Sequence, residues 1–97
     1  MISGKLHELL GSDEVHFQPP ENVKLVYPCI IYDFNGFKDI NADNGAYISR
    51  ERYTVTHIYR DPDGHLRNEF KEAFLYAFLS RTFVKDNLRH DTYEVYI

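Results

Sequence analysis

The sequence predicts an α+β fold, a mainly antiparallel sheet with two helices packed on one face. Three observations predict it. Apolar residues recur at helical spacing in two separate stretches; several other stretches alternate with period two; and short turn signals between the alternating stretches keep successive strands adjacent. The implied order is helix, three strands, helix, two strands. No repeat, linker or low-complexity segment divides the 97 residues, so residues 1–97 read as one domain with one modest core.

The first element is "ISGKLHELLG", which places Ile2, Leu6, Leu9 and Leu10 at helical spacing, with Ser3 as a candidate cap and Gly11 as a stop. At little more than two turns it must dock on something to persist. "VHF" (15–17) is a short strand, and "QPPENVK" after it is a turn whose prolines remove ladder donors. From Pro28, Ile30, Tyr32 and Phe34 alternate with Cys29, Ile31, Asp33 and Asn35. After the polar stretch "KDINADNGA" (38–46), expected as a loop, Tyr53, Val55, His57 and Tyr59 alternate with Arg52, Thr54, Thr56 and Arg60. The two strands form a predicted hairpin, and "RDPDGH" ends the second. Leu66, Phe70, Ala73, Phe74, Ala77 and Phe78 then give an apolar stripe that predicts a helix over 66–78, with Arg67, Lys71 and Glu72 away from it. Leu75, Tyr76 and Leu79 make its last turns apolar on nearly every side, as though a second surface, such as another subunit, covered them. The end predicts a strand around 82–84, a turn at Asp86-Asn87, and a closing strand with Tyr93, Val95 and Ile97 on one face.

Composition narrows the function classes. A net charge of −4, from eleven Lys and Arg against fifteen Asp and Glu, disfavours a protein whose affinity would come from neutralising phosphates. Cys29 is the single cysteine, so no intrachain disulfide forms, and an intracellular site of synthesis is expected. No window approaches the ~18 apolar residues of a membrane span, and "MISGKLHELLG" lacks a signal-peptide profile. A soluble protein with no membrane partner is expected.

The residues that carry chemistry form no constellation. His7, His16, His57, His65 and His90 show no HExxH and no paired spacing on one helix face, so no metal site is expected. A Cys29/His57 nucleophile pair is conceivable on neighbouring strands, but Cys29 sits between Pro28 and an Ile-Ile pair, where an inert core thiol is the expected reading. Gly36, Gly45 and Gly64 stand alone in turns, so no phosphate loop exists, and the "DPD" acids (61–63) read as turn chemistry. No catalytic residue and no cofactor is assigned. Arg50, Arg52 and Arg60 form a positive row with Glu51, Asp61 and Asp63 as neighbours; a partner-facing row or a solvated face, paired with those carboxylates, are the two readings.

The phrases "FQPPENVK", "YPCIIY", "ADN", "RYTVTHIYRDPD" and "DNLRHDTYEVYI", in this order over residues 15–97, resemble the small tail-completion proteins of long-tailed bacteriophages, a group that includes tail terminators. The resemblance implies a non-enzymatic structural protein of the virion, made in the host bacterial cytoplasm. Its subunits form a homomeric ring, typically of six copies, at the head-proximal end of the tail tube. The ring stops tube growth and meets the tail tube protein on one side and the head-completion protein on the other, while DNA passes through without specific binding. A ring needs heterologous interfaces, for which Leu75, Tyr76, Leu79, Arg50 and Arg52 are candidates. Asp39, Asp43 and Glu51 are candidates for the channel wall, where acids repel phosphate; ordinary surface charge is the competing reading. A head-completion protein is the alternative within the same joint. A small ligand-binding or enzymatic domain is the alternative from another class.

Overall fold

The computed structural model describes residues 2–12, 14–18, 24–41 and 47–97, those at 38–41 and 47–48 through their backbone. The expected turn at "PPEN" and the loop segment 42–46, with Asp43 and Asn44-Gly45, lie outside the described residues. The chain runs α1 (Ile2–Leu10), β1 (Val15–Phe17), β2 (Cys29–Asn41), β3 (Tyr47–Tyr59), a 3-10 turn at Pro62–Gly64, α2 (Arg67–Ala73), β4 (Tyr76–Lys85) and β5 (Leu88–Tyr96). This is the predicted order of helices and strands, and the fold is α+β.

The strands form one five-stranded sheet in the order β1-β2-β3-β5-β4. The β2–β3, β3–β5 and β5–β4 pairings are antiparallel, whereas β1 lies parallel to β2, with Val15 opposite Ile30 and Phe17 opposite Tyr32. The sheet is therefore mixed. Residues 18–28 are long enough to return the chain to the end of the sheet where β1 began, which a parallel neighbour requires.

Both helices cover the face that carries Ile30, Val55, Tyr93 and Val95. Ile2 and Leu6 of α1 and Phe70 of α2, with Phe74 just after it, complete the buried cluster. Ile2 and Leu6 are one turn apart, which aims both at the sheet. Ser3, expected as the cap, lies inside the first turn; Gly11 ends the helix as expected, at φ 72°, with its N–H bonded to the carbonyl of His7 at 2.9 Å. Phe70 is fully buried and stacks on Tyr93 with ring centroids 4.0 Å apart. That contact fixes α2 over β5.

The second helix departs most from expectation. It spans Arg67–Ala73 only, and Phe74 is already extended at φ −123°, ψ 135°. Residues 76–85 instead form β4 against β5. The run Leu75-Tyr76-Ala77-Phe78-Leu79, apolar on every side of a helical wheel, is what an edge strand looks like when read at the wrong period. Its backbone partner, β5, is supplied by a two-residue turn in which Asp86 and Asn87 take φ 55° and 63°, the geometry that suits a tight hairpin.

The polar stretch at 38–46 was expected to be a loop, but its first four residues extend β2, with Lys38 opposite Arg50 and Asn41 opposite Tyr47. Cross-strand pairing outweighs the polar composition there. A register shift between Phe34 and Phe37, with Gly36 at φ 88°, puts both phenylalanines on the helix-covered side, their rings 5.4 Å apart. β5 ends opposite Arg52, and Ile97 exchanges backbone hydrogen bonds with Glu51. Beyond that point, among the described residues, β2 and β3 continue as a two-stranded arm to Asn41 and Tyr47.

Candidate functional site

A buried acid organises the polar interior. Asp91 lies opposite His57 on β3 and Thr82 on β4, on the helix-covered face, and is 0 % exposed. Its carboxylate accepts hydrogen bonds from Tyr59 Oη (2.8 Å), Thr82 Oγ1 (2.7 Å), Arg67 Nε (3.1 Å) and Arg67 Nη2 (3.2 Å). Burial pulls its pKa upward, but the donors from Arg67, Thr82 and Tyr59 outweigh that and leave it below the ordinary value. A carboxylate held ionised by three side chains ties α2, β3, β4 and β5 together. Arg67, expected to point away from the apolar stripe, is the link from α2.

His57 stacks on Tyr59 at 4.6 Å and is 1 % exposed. Burial, only partly opposed by Asp91, lowers its pKa to about 4, so the ring is neutral at physiological pH. Its Nδ1 and the Tyr93 hydroxyl are buried without hydrogen-bond partners among the described residues. Cys29 is fully buried, and burial together with Glu14 pushes its thiol up to about 11, far from the range of a nucleophile at neutral pH. Cys29 faces Ile58 and His57 faces Ile30, on opposite sides of the sheet. The two residues weighed as a nucleophile pair are thus kept apart by the strand's own alternation. Among the described residues no three His, Cys, Asp or Glu side chains gather as metal ligands.

The arginine row lies on the face without helices, but its partners are not the neighbouring acids. Arg50 sits over the Tyr76 ring at 4.9 Å, Arg60 over Tyr27 at 6.0 Å, and Arg52 Nε donates to the carbonyl of Asn35 at 3.0 Å. Among the described residues the guanidinium that does pair with a carboxylate is that of Arg67, with Asp91. Within β3, alternation sends the Glu51 side chain to the face opposite Arg50 and Arg52, so the partners of these guanidinium groups are rings and a backbone carbonyl.

The apolar surface is more distinctive than any cavity. Leu75 is 81 % exposed at the corner between α2 and β4, followed by Phe78 at 56 %, Leu79 at 44 % and Val84 at 61 % along the edge strand. Leu75, Tyr76 and Leu79, expected on the flank of a helix, therefore belong to a corner and a sheet edge. At the other edge of the sheet, at the base of the arm, β2 exposes Phe37 at 64 % and Phe34 at 40 %. Between the arm and α1 runs a groove of about 740 Å³ lined by Phe17, Tyr32, Phe37 and Tyr53, with Glu51 at its polar end. Glu51 is exposed and accepts a hydrogen bond from Tyr53 Oη at 2.8 Å. Asp39 lies within β2, its backbone opposite Ser49, and Asp43 is outside the described residues.

The Asp91 cluster was missed in the sequence, although a signal existed: Asp91 shares the alternating face of Tyr93 and Val95, where an unpaired acid would be costly. Comparison with protein-family models, with curated proteins and with solved structures returns no match.

Proposed function

We propose that the chain is a structural assembly subunit of the phage tail-completion type. Copies of it form a ring that ends the tail tube and joins it to the head. The observation that carries this reading is the set of exposed apolar side chains at the corner before β4 and along that edge strand, Leu75 followed by Phe78, Leu79 and Val84. Exposed apolar surface of this kind marks an interaction site. The sequence resemblance over residues 15–97 supplies the kind of assembly. In the ring, Leu75, Tyr76, Leu79, Arg50 and Arg52 belong to subunit contacts, and the acids Asp39, Asp43 and Glu51 of the arm discourage DNA from adhering as it passes.

Electron microscopy of the purified protein over a range of concentrations, together with its mass in solution, tests this reading. Rings with an open centre are the expected outcome. A monomer at every concentration, with a small ligand bound in the groove beside Glu51, would replace the assembly reading with a binding one.

A further inference from the structure

The sheet ends in two free stretches of backbone that match each other. Among the described residues β4 is a ten-residue edge strand paired only to β5. On the opposite edge, β1 covers β2 only from Ile30 to Tyr32, so among the described residues nothing pairs with the outer side of β2 over residues 33–41. A row of unpaired N–H and C=O groups of this length is a template for another strand.

We propose that β4 of one copy pairs with residues 33–41 of β2 in a second copy, so that one sheet continues from subunit to subunit. The proposal rests on the assembly reading above and names its contact. Direction is the first argument. β2 and β5 run one way and β3 and β4 the other, so β2 and β4 are antiparallel. Rotation about an axis lying along the strands preserves that relation, and it keeps the helix-covered side of one subunit continuous with that of the next. The second argument is the side chains this continuity aligns. Phe34 and Phe37 lie on the helix-covered side of β2, and Leu79 and Val84 on the same side of β4, opposite Tyr93 and beyond Thr82. All four are at least 40 % exposed, and pairing would bury them against one another.

Charge chooses between this contact and the symmetrical one. β4 carries Arg81 and Lys85 and no acid, whereas residues 33–41 contain Asp33 and Asp39 with the single cation Lys38. Two β4 strands related by a twofold axis would bring cations together with no acid on either strand to answer them, whereas opposite charges across strands are favoured. Pairing of unlike edges is also the kind of interface from which a ring is built.

The hydrogen-bond alternation provides a test. Lys85 and Leu88 close a two-residue turn, so Val84 directs its N–H away from β5 and toward the free edge. Val84→Pro then removes an outward donor while leaving the β4–β5 ladder in place. Sedimentation should show wild type as an oligomer and Val84→Pro as a folded monomer, or as needing on the order of tenfold more protein to assemble. As a readout independent of proline's effect on folding, single-cysteine proteins are made in a Cys29→Ala background, one with Val84→Cys and one with Phe37→Cys. They are mixed and treated with a short bis-maleimide. Cross-linked dimers formed chiefly in the mixture are expected. Cross-linking of Val84→Cys protein to itself, or undiminished assembly of Val84→Pro, would overturn the edge contact while leaving the ring standing. A wild type that stays monomeric throughout would remove both.

Discussion

His57 and Asp91 face each other across β3 and β5, and acid acts on them in the same direction. Burial lowers His57 from 6.5 to about 4 in the folded chain. Above pH 6.5 the ring is neutral folded or unfolded, and its contribution to stability is fully present. Between 6.5 and about 4 the unfolded chain takes up the proton first, so stability falls as pH falls. Asp91, held below its ordinary value of 3.8, adds a loss at still lower pH, because the unfolded carboxylate protonates before the folded one. Urea denaturation should therefore show stability declining below pH 6.5, by up to about 1.4 kcal/mol per unit for His57 alone. His57→Phe should flatten that part of the profile, and an unchanged slope in that variant would assign the acid sensitivity elsewhere. At neutral pH, Asp91→Asn removes the charge that Arg67, Thr82 and Tyr59 attend. A loss of roughly 1–3 kcal/mol is expected by denaturation. These two residues were half legible in the sequence: alternation put His57 inside, but nothing local to "RHDTYEVYI" revealed that Arg67, 24 residues earlier, would come to meet Asp91.

Each element was readable to the extent that its pattern had one interpretation. "ISGKLHELLG" had one, and α1 stops at Gly11 as expected. The stretch from Leu66 to Phe78 had two, because Phe70, Ala73 and Phe74 suit a helical stripe while Tyr76 to Leu79 equally suit a strand. The pairing of β4 with β5 decided it, with Tyr76 opposite Tyr96 and Leu79 opposite Tyr93, and a partner strand further down the chain is invisible to a helical wheel. Two substitutions probe the elements as they stand. Phe70→Ala empties a fully buried site stacked on Tyr93, and chemical denaturation should register a loss of about 3–5 kcal/mol; a loss under about 1 kcal/mol would mean that α2 does not clamp the sheet. At the β4–β5 turn, Asn87 occupies φ 63°, a region that glycine and asparagine tolerate and alanine does not. Asn87→Ala should cost roughly 1 kcal/mol and Asn87→Gly close to nothing. Equal melting temperatures for the two would argue against the tight hairpin and for an irregular connection.

At the scale of the molecule, the region that carries stability differs from the one proposed for assembly. The buried cluster of Ile2, Leu6, Ile30, Val55, Phe70, Phe74, Tyr93 and Val95 lies where α1 and α2 cover the sheet, whereas among the described residues the arm beyond Glu51 is a two-stranded ribbon. A ribbon of that kind is marginal alone and gains little from the distant core, so its length calls for another explanation, and contact with a neighbouring copy provides one. Replacing residues 39–49 by Asn-Gly would let Lys38 and Arg50, already opposite each other, close a two-residue turn. The shortened chain should melt within a few degrees of the parent, since a change of about 1 kcal/mol moves the midpoint of a domain this size by roughly 4–8 °C. It should also fail to form rings, because part of the free β2 edge is gone. Melting is followed by circular dichroism, and assembly by mass in solution and by complementation of a tailed phage from which the corresponding gene has been deleted. A shortened protein that still builds rings and restores infectivity would take the arm out of the assembly. One that no longer folds would place the arm among the elements that hold the sheet together.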